Sequence, residues 1–139
     1  MAKRKVNRCK IPIKTPEDIA EMRVACETAS QILQATAKFI EVGKTTGEVD
    51  AYAAKLIKEH GCVSAFLGYR GFPGNICISP NEEVVHGIGG DRVILDGDVI
   101  SIDVGVVKNG WIGDNATTVP VGNVSNEVKR LLAVTEQSL

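Results

Sequence analysis

The dipeptide Asn109-Gly110 separates two runs of strand character, Asp98–Lys108 and Trp111–Val121. Both central residues of a type I′ turn need positive φ, which Asn and Gly adopt at least cost. The twist of that turn also matches the twist of paired antiparallel strands. A two-residue turn leaves no freedom of register: Lys108 faces Trp111, Gly105 faces Asp114 and Asp103 faces Ala116. Side chains alternate along a strand, so Asp103, Gly105, Asp114 and Ala116 share one face. Ile100, Ile102, Val104 and Val106 share the other, which is the natural inward face of a sheet. The first face sets two carboxylates diagonally across the strand pair, about 7–8 Å apart at the backbone. Small residues opposite each predict open space between them.

Two carboxylates on an otherwise apolar hairpin cost free energy unless something compensates them. Hard oxygen donors at this spacing suit one or two divalent cations with bridging carboxylates. Alternatively, the pair shares a proton and one acid stays neutral for acid–base work. In the third arrangement one Asp caps a turn and the other sits at an exposed edge. A β-bulge in either strand would break the register on which all three rest.

Upstream, Thr15-Pro16-Glu17-Asp18 reads as a helix start, with Thr as N-cap, Pro in the first turn and acids beside it. Ile19, Met22, Cys26, Ala29, Leu33 and Ile40 follow near helical spacing, with Thr36 the one polar residue on the stripe, and Gly43 stops the run. Thr45 and Glu48 form a capping box for a second helix with Val49, Ala53, Leu56 and Ile57 on its apolar side, ended by Gly61. A glycine-punctuated loop, Gly68–Asn75, carries Tyr69 and Phe72. Short β-type runs are expected at Ile76–Ser79 and Glu83–His86, and Asp96-Gly97 marks a turn. Ser125 caps a third helix from Asn126, with Val128, Leu131, Leu132 and Leu139 on one side. These elements predict an α/β (α+β) fold. His86 enters a glycine loop, where a metal ligand, a general acid–base, a substrate donor or a buried, satisfied imidazole are all open readings. His60 ends a helix, a structural place for a cation.

Composition narrows the classes further. A chain of 139 residues that is 44% hydrophobic and 24% charged is neither disordered nor collagen-like, and its length suits one domain. No run approaches the ~20 apolar residues of a membrane span, and no apolar stretch follows the charged start as in a secretory signal. Four cysteines (Cys9, Cys26, Cys62, Cys77) without a CxxC read as reduced thiols of a cytoplasmic protein. Residues 1–14 carry six basic residues and no acid, leaving ten basic against seventeen acidic in the remainder. Such an arm suits contact with a phosphate backbone such as ribosomal RNA; the alternative is a solvated tail. Gly43-Lys44-Thr45 lacks the first glycine and preceding strand of a P-loop. No aromatic-basic interleaving suggests a nucleic-acid platform, and no specific DNA contact is expected.

Several segments together carry a family resemblance: Gly68-Tyr69-Arg70-Gly71-Phe72-Pro73, Cys77-Ile78-Ser79, Asn81-Glu82-Glu83-Val84-Val85-His86-Gly87-Ile88, Asp96-Gly97-Asp98, Ile102-Asp103-Val104 and Gly113-Asp114. In this order and spacing, the chain from about Ile13 to Leu139 resembles the N-terminal half of the bacterial-type (type I) methionine aminopeptidases. The resemblance implies a pita-bread fold: a mixed, mainly antiparallel sheet with helices on one face, in two pseudo-symmetric halves around a dinuclear metal site. It implies removal of initiator methionine from nascent polypeptides by metal-dependent hydrolysis of the first peptide bond. Asp103 would be a bidentate metal ligand and Asp114 a bridging one, for two divalent ions drawn from cobalt, manganese, iron or zinc. His86 would be the catalytic histidine that hydrogen-bonds the substrate near the scissile peptide. Tyr69, Phe72 and Phe66 would line the methionine pocket.

Two departures stand out: Phe66 takes a place often held by a smaller residue, and Gly105 replaces a common threonine. The family's remaining ligands, a His and two Glu, match no position here. The expectation is therefore a basic flexible arm over 1–14 and an N-terminal lobe over 15–139, the C-terminal lobe absent and the isolated chain inactive. A non-catalytic pita-bread adaptor and one half of a split assembly are the alternatives. Proline-specific aminopeptidases share the fold, and the short segment before Ile13 argues against their large N-terminal domain.

Overall fold

A computed structural model describes residues 11–139. Most of the basic arm, and Cys9, lie outside the described residues. Helix α1 (Pro16–Phe39) starts as the sequence requires: Thr15 Oγ1 accepts from the Asp18 N–H and the Asp18 carboxylate accepts from the Thr15 N–H. Helix α2 (Thr46–Glu59) repeats this capping box with Thr45 and Glu48. Strands β1 (Val63–Ser64), β2 (Cys77–Pro80), β3 (Val99–Lys108) and β4 (Trp111–Pro120) form one sheet, and α3 (Asn126–Gln137) follows. β3 is the hub, pairing antiparallel with β4 along one edge and with β1 and β2 along the other. No helix among the described residues is long and apolar enough to cross a membrane.

The β3–β4 hairpin has the register set by its turn length. Asn109 and Gly110 take φ of 52° and 82°, and the ladder runs without a bulge from Lys108↔Trp111 to Val99↔Pro120. Ile100, Ile102, Val104 and Val106 are fully buried and meet α1 and α2 in one core with Ile32, Leu33, Val49, Ala53 and Ile57. Burying an aliphatic side chain of this size contributes about 1.5–3 kcal/mol. This one-sided core holds the opposite sheet face open.

Three local expectations need correction. The buried face of α1 is Ala25, Thr28, Ala29, Ile32, Leu33 and Thr36, whereas Ile19 and Cys26 are exposed. At Ala25 the helix backbone comes so close to Gly113 of β4 that a β-carbon on Gly113 would overlap the Ala25 carbonyl. Glu83–His86 is not a strand: Asn81 and His86 adopt positive φ (53° and 61°) and bend the segment off the sheet. It returns only at Gly87, whose carbonyl accepts from Ile78 N–H and whose N–H donates to Ser79 Oγ. Finally, α3 is capped by Ser125 but buries no residue fully, and Leu131 and Leu139 are exposed. Only Val128 and Leu132 are half-buried on its expected apolar side.

Candidate functional site

The open face of the sheet carries Asp103, Gly105, Asp114 and Ala116, as alternation from the hairpin turn demands. β2 adds Cys77, which lies directly opposite Asp103 across the β2–β3 ladder. The loop after β2 adds His86, held in the left-handed region with φ of 61°. This strain is maintained by Gly87 behind it: a β-carbon there would overlap the Ile78 carbonyl oxygen, so the backbone is clamped onto β2. A cavity of about 530 Å³ runs along this face from Cys77, His86 and Asp103 past Ser101 and Thr118 to Leu132 on α3.

The two carboxylates differ in environment. Asp114 is exposed and Asp103 half-buried. Asp103 Oδ1 is buried and has no hydrogen-bond partner. Burial, and then the negative field of Asp114, push Asp103 up to about 6, and the field of His86 opposes them. An acceptor atom buried without a donor is costly; a hard divalent cation would satisfy it and reverse the repulsion. In chemistry the pair therefore fits a divalent metal. In number it falls short, because the described residues contain no group of three or more His, Cys, Asp or Glu placed to hold one.

Cys77 joins the site although the sequence shows no third group to orient it with His86 as a thiol dyad. Its thiol is pushed up to about 11, first by burial and then by the fields of Asp103, Asp114 and Asp50. It therefore stays protonated, which excludes a thiolate nucleophile at neutral pH. The run Cys77-Ile78-Ser79 signals a strand, but its pairing with β3 crosses a long loop and cannot be read from spacing.

The aromatic residues are set by a separate network. Asp50 of α2 accepts from the Asn75 N–H, Asn75 Nδ2 and the Ile76 N–H at 2.7–3.0 Å, which ties down the exit of the glycine loop. Ser64 Oγ donates to the Asn75 carbonyl and accepts from the N–H groups of Phe66 and Leu67. Tyr69 is 63% exposed, inside a 3₁₀ turn, and the Phe72 ring packs on Gly74. Phe66 corrects one sequence expectation: the room above Gly105 is not open, because the Phe66 ring fills it.

Comparison with known proteins agrees with this geometry. Residues 20–139 match the model of "Metallopeptidase family M24". Methionine aminopeptidase 1 of Bacillus subtilis is 49% identical over 126 residues, covering 91% of this chain and 51% of that protein. Methionine aminopeptidase of Treponema pallidum is 43% identical over 129 residues, covering 93% and 50%. The chain thus spans about half the length of the curated relatives it matches. Among solved structures, methionine aminopeptidase from Rickettsia prowazekii superposes with a TM-score of 0.88 at 36% identity, over 91% of this chain and 51% of that one. Prolidase from Pyrococcus furiosus follows at 0.71 and 28%, over 85% and 34%. The fold is therefore the pita-bread type shared by these enzymes, present here as a mixed α/β half. Matched over residues 20–139 and carrying a carboxylate pair suited to a divalent cation, the chain belongs to metallopeptidase family M24.

Proposed function

We propose that this chain is the N-terminal lobe, residues 15–139, of a methionine aminopeptidase that removes initiator methionine from nascent polypeptides in the cytoplasm. The observation that carries this reading is the unpartnered, buried Oδ1 of Asp103 beside Asp114, a donor arrangement that calls for cations. Asp103 and Asp114 would hold the first two ligand positions of a two-metal site for cobalt, manganese, iron or zinc. When bound, the metals supply an acidified water and a polarised carbonyl for hydrolysis of the first peptide bond.

The chain's own residues do the rest of this half's work. His86, presented by its strained backbone toward the Asp103 side of the cavity, donates a hydrogen bond to the substrate near the scissile peptide. Tyr69, Phe72 and Phe66 form the apolar side that receives the methionine side chain. Cys77, protonated and beside Asp103, keeps that wall small and uncharged. The basic arm offers phosphate contacts, and ribosomal RNA is the partner its charge suits.

The test joins residues 1–139 to the second half of Bacillus subtilis methionine aminopeptidase 1. The fused chain is expected to release methionine from Met-Ala-Ser with Mn²⁺ present, and to lose this with EDTA, Asp103→Asn or Asp114→Asn. A well-folded fusion that binds Mn²⁺ but leaves the peptide intact would overturn the aminopeptidase reading. Robust cleavage by the 139 residues alone would overturn the half-site reading.

A further inference from the structure

Gly105 stands on the carboxylate face between Asp103, two residues before it, and Asp114, directly across the ladder. Its conformation is ordinary strand, so nothing in its backbone asks for glycine. What asks for it is Phe66. A β-carbon built on Gly105 would lie 2.5 Å from Phe66 Cε1, 2.7 Å from Cζ and 3.1 Å from Cδ1, well inside van der Waals contact. The ring therefore rests on the bare Cα of Gly105, beside both carboxylates.

The ring cannot retreat by moving its backbone. Ala65 N–H donates to the carbonyl of Gly105 itself at 2.9 Å, so the segment carrying Phe66 is bonded to the residue beneath its ring. Phe66 N–H donates to Ser64 Oγ at 3.0 Å, and that hydroxyl is anchored on the Asn75 carbonyl at 2.7 Å. Any side chain at position 105 would have to push the ring itself sideways over the carboxylate face.

We propose that Phe66 and Gly105 are one steric unit that sets the inner wall of the pocket beside Asp103 and Asp114. Glycine at 105 exists to admit the ring, and the ring replaces whatever side chain that position would otherwise raise beside the metal ligands. The surface beside the carboxylates is therefore the flat, apolar face of the ring. That this surface borders a substrate pocket rests on the aminopeptidase reading; the steric unit does not.

The test is a double-mutant cycle on the full 139-residue chain without metal or ligand, comparing wild type, F66A, G105A and F66A/G105A by equilibrium urea unfolding. G105A is expected to lower the urea midpoint when Phe66 is present and to leave it unchanged or raise it when Phe66 is absent. Equal shifts in the two backgrounds would overturn the proposal. Should G105A fail to fold, recovery of folding in F66A/G105A supports it and failure of the double variant overturns it. A second readout uses proton NMR: the Gly105 α-protons are expected upfield in the wild type from the ring current, and unshifted in F66A. Unshifted wild-type α-protons would overturn the proposal as well. If the cycle couples but the fused enzyme does not cleave Met-Ala-Ser, the wall stands and only its substrate is lost.

Discussion

Gly113 of β4 lies beneath the carbonyl of Ala25 in α1, with no room for a β-carbon between strand and helix. This contact seats α1 on the hairpin, and α1 in turn covers the Ile100, Ile102, Val104 and Val106 row that keeps the carboxylate face turned outward. Gly113→Ala therefore forces the helix off the sheet. Overpacking of this kind costs about 1–3 kcal/mol, and a rigid backbone as the obstacle puts it at the upper end. Urea denaturation of the 139-residue variant checks this, with a fall in midpoint and little change in slope as the expected outcome.

Asp103 makes stability depend on pH in a stated direction. Its folded value of about 6 lies above the ordinary carboxylate value of about 4. Between the two, the folded chain holds a proton that the unfolded chain does not. This contribution is fully present below about pH 4 and is lost as pH rises through about 6. Asp103→Asn should remove that component of the pH profile and leave the metal-free protein at least as stable as wild type at pH 7. Chemical denaturation of both chains at pH 4.5 and 7 measures the difference.

Divalent cations should act on the same carboxylates. Millimolar Mn²⁺ at pH 7 is expected to raise the denaturation midpoint of the wild-type chain, because a ligand bound only by the folded state stabilises it. The increase should vanish in Asp103→Asn and on adding EDTA. An equal increase in wild type and variant would locate the cation elsewhere.

Cys77 should alkylate much more slowly than Cys26 at pH 7.5. Burial and three nearby carboxylates hold its thiol near 11, whereas Cys26 is exposed on α1. Peptide mapping after timed iodoacetamide treatment gives both rates in one sample, and comparable rates would contradict the protonated-thiol assignment.

In the fused enzyme, Phe66→Ala should widen the pocket. Cleavage of Phe-Ala-Ser relative to Met-Ala-Ser is expected to rise by about tenfold or more, the scale of discrimination that small changes in an apolar pocket carry. Competition between the two peptides in one reaction measures this ratio directly.

How much of this was legible in the sequence depends on how local its cause is. The hairpin register followed from two turn residues, and with it the shared face of Asp103 and Asp114. The capping boxes at Thr15 and Thr45 were legible for the same reason: each is completed within four residues. The buried face of α1 was not, because the close approach of Ala25 to Gly113 joins residues far apart in the chain, while Ile19 and Cys26 fit the helical period and remain exposed. Val84 and Val85 have β-branched side chains suited to a strand, yet positive φ at Asn81 and His86 turns them outward. Phe66 and Gly105 each read as a departure from the family resemblance. Only the contact of Phe66, in the segment after β1, with Gly105 of β3 reveals that they compensate one another.

The two-residue turn at Asn109-Gly110 has a last consequence for how such a site can change. Carboxylate spacing on this hairpin is an integer, not a dial: slipping the ladder by one residue would turn Asp114 toward the helices and bring Gly113 to the open face. No intermediate offset is available to a pleated pair of strands. Substitutions around the site can grade its size and charge, but the separation of its two acids is quantised by the turn.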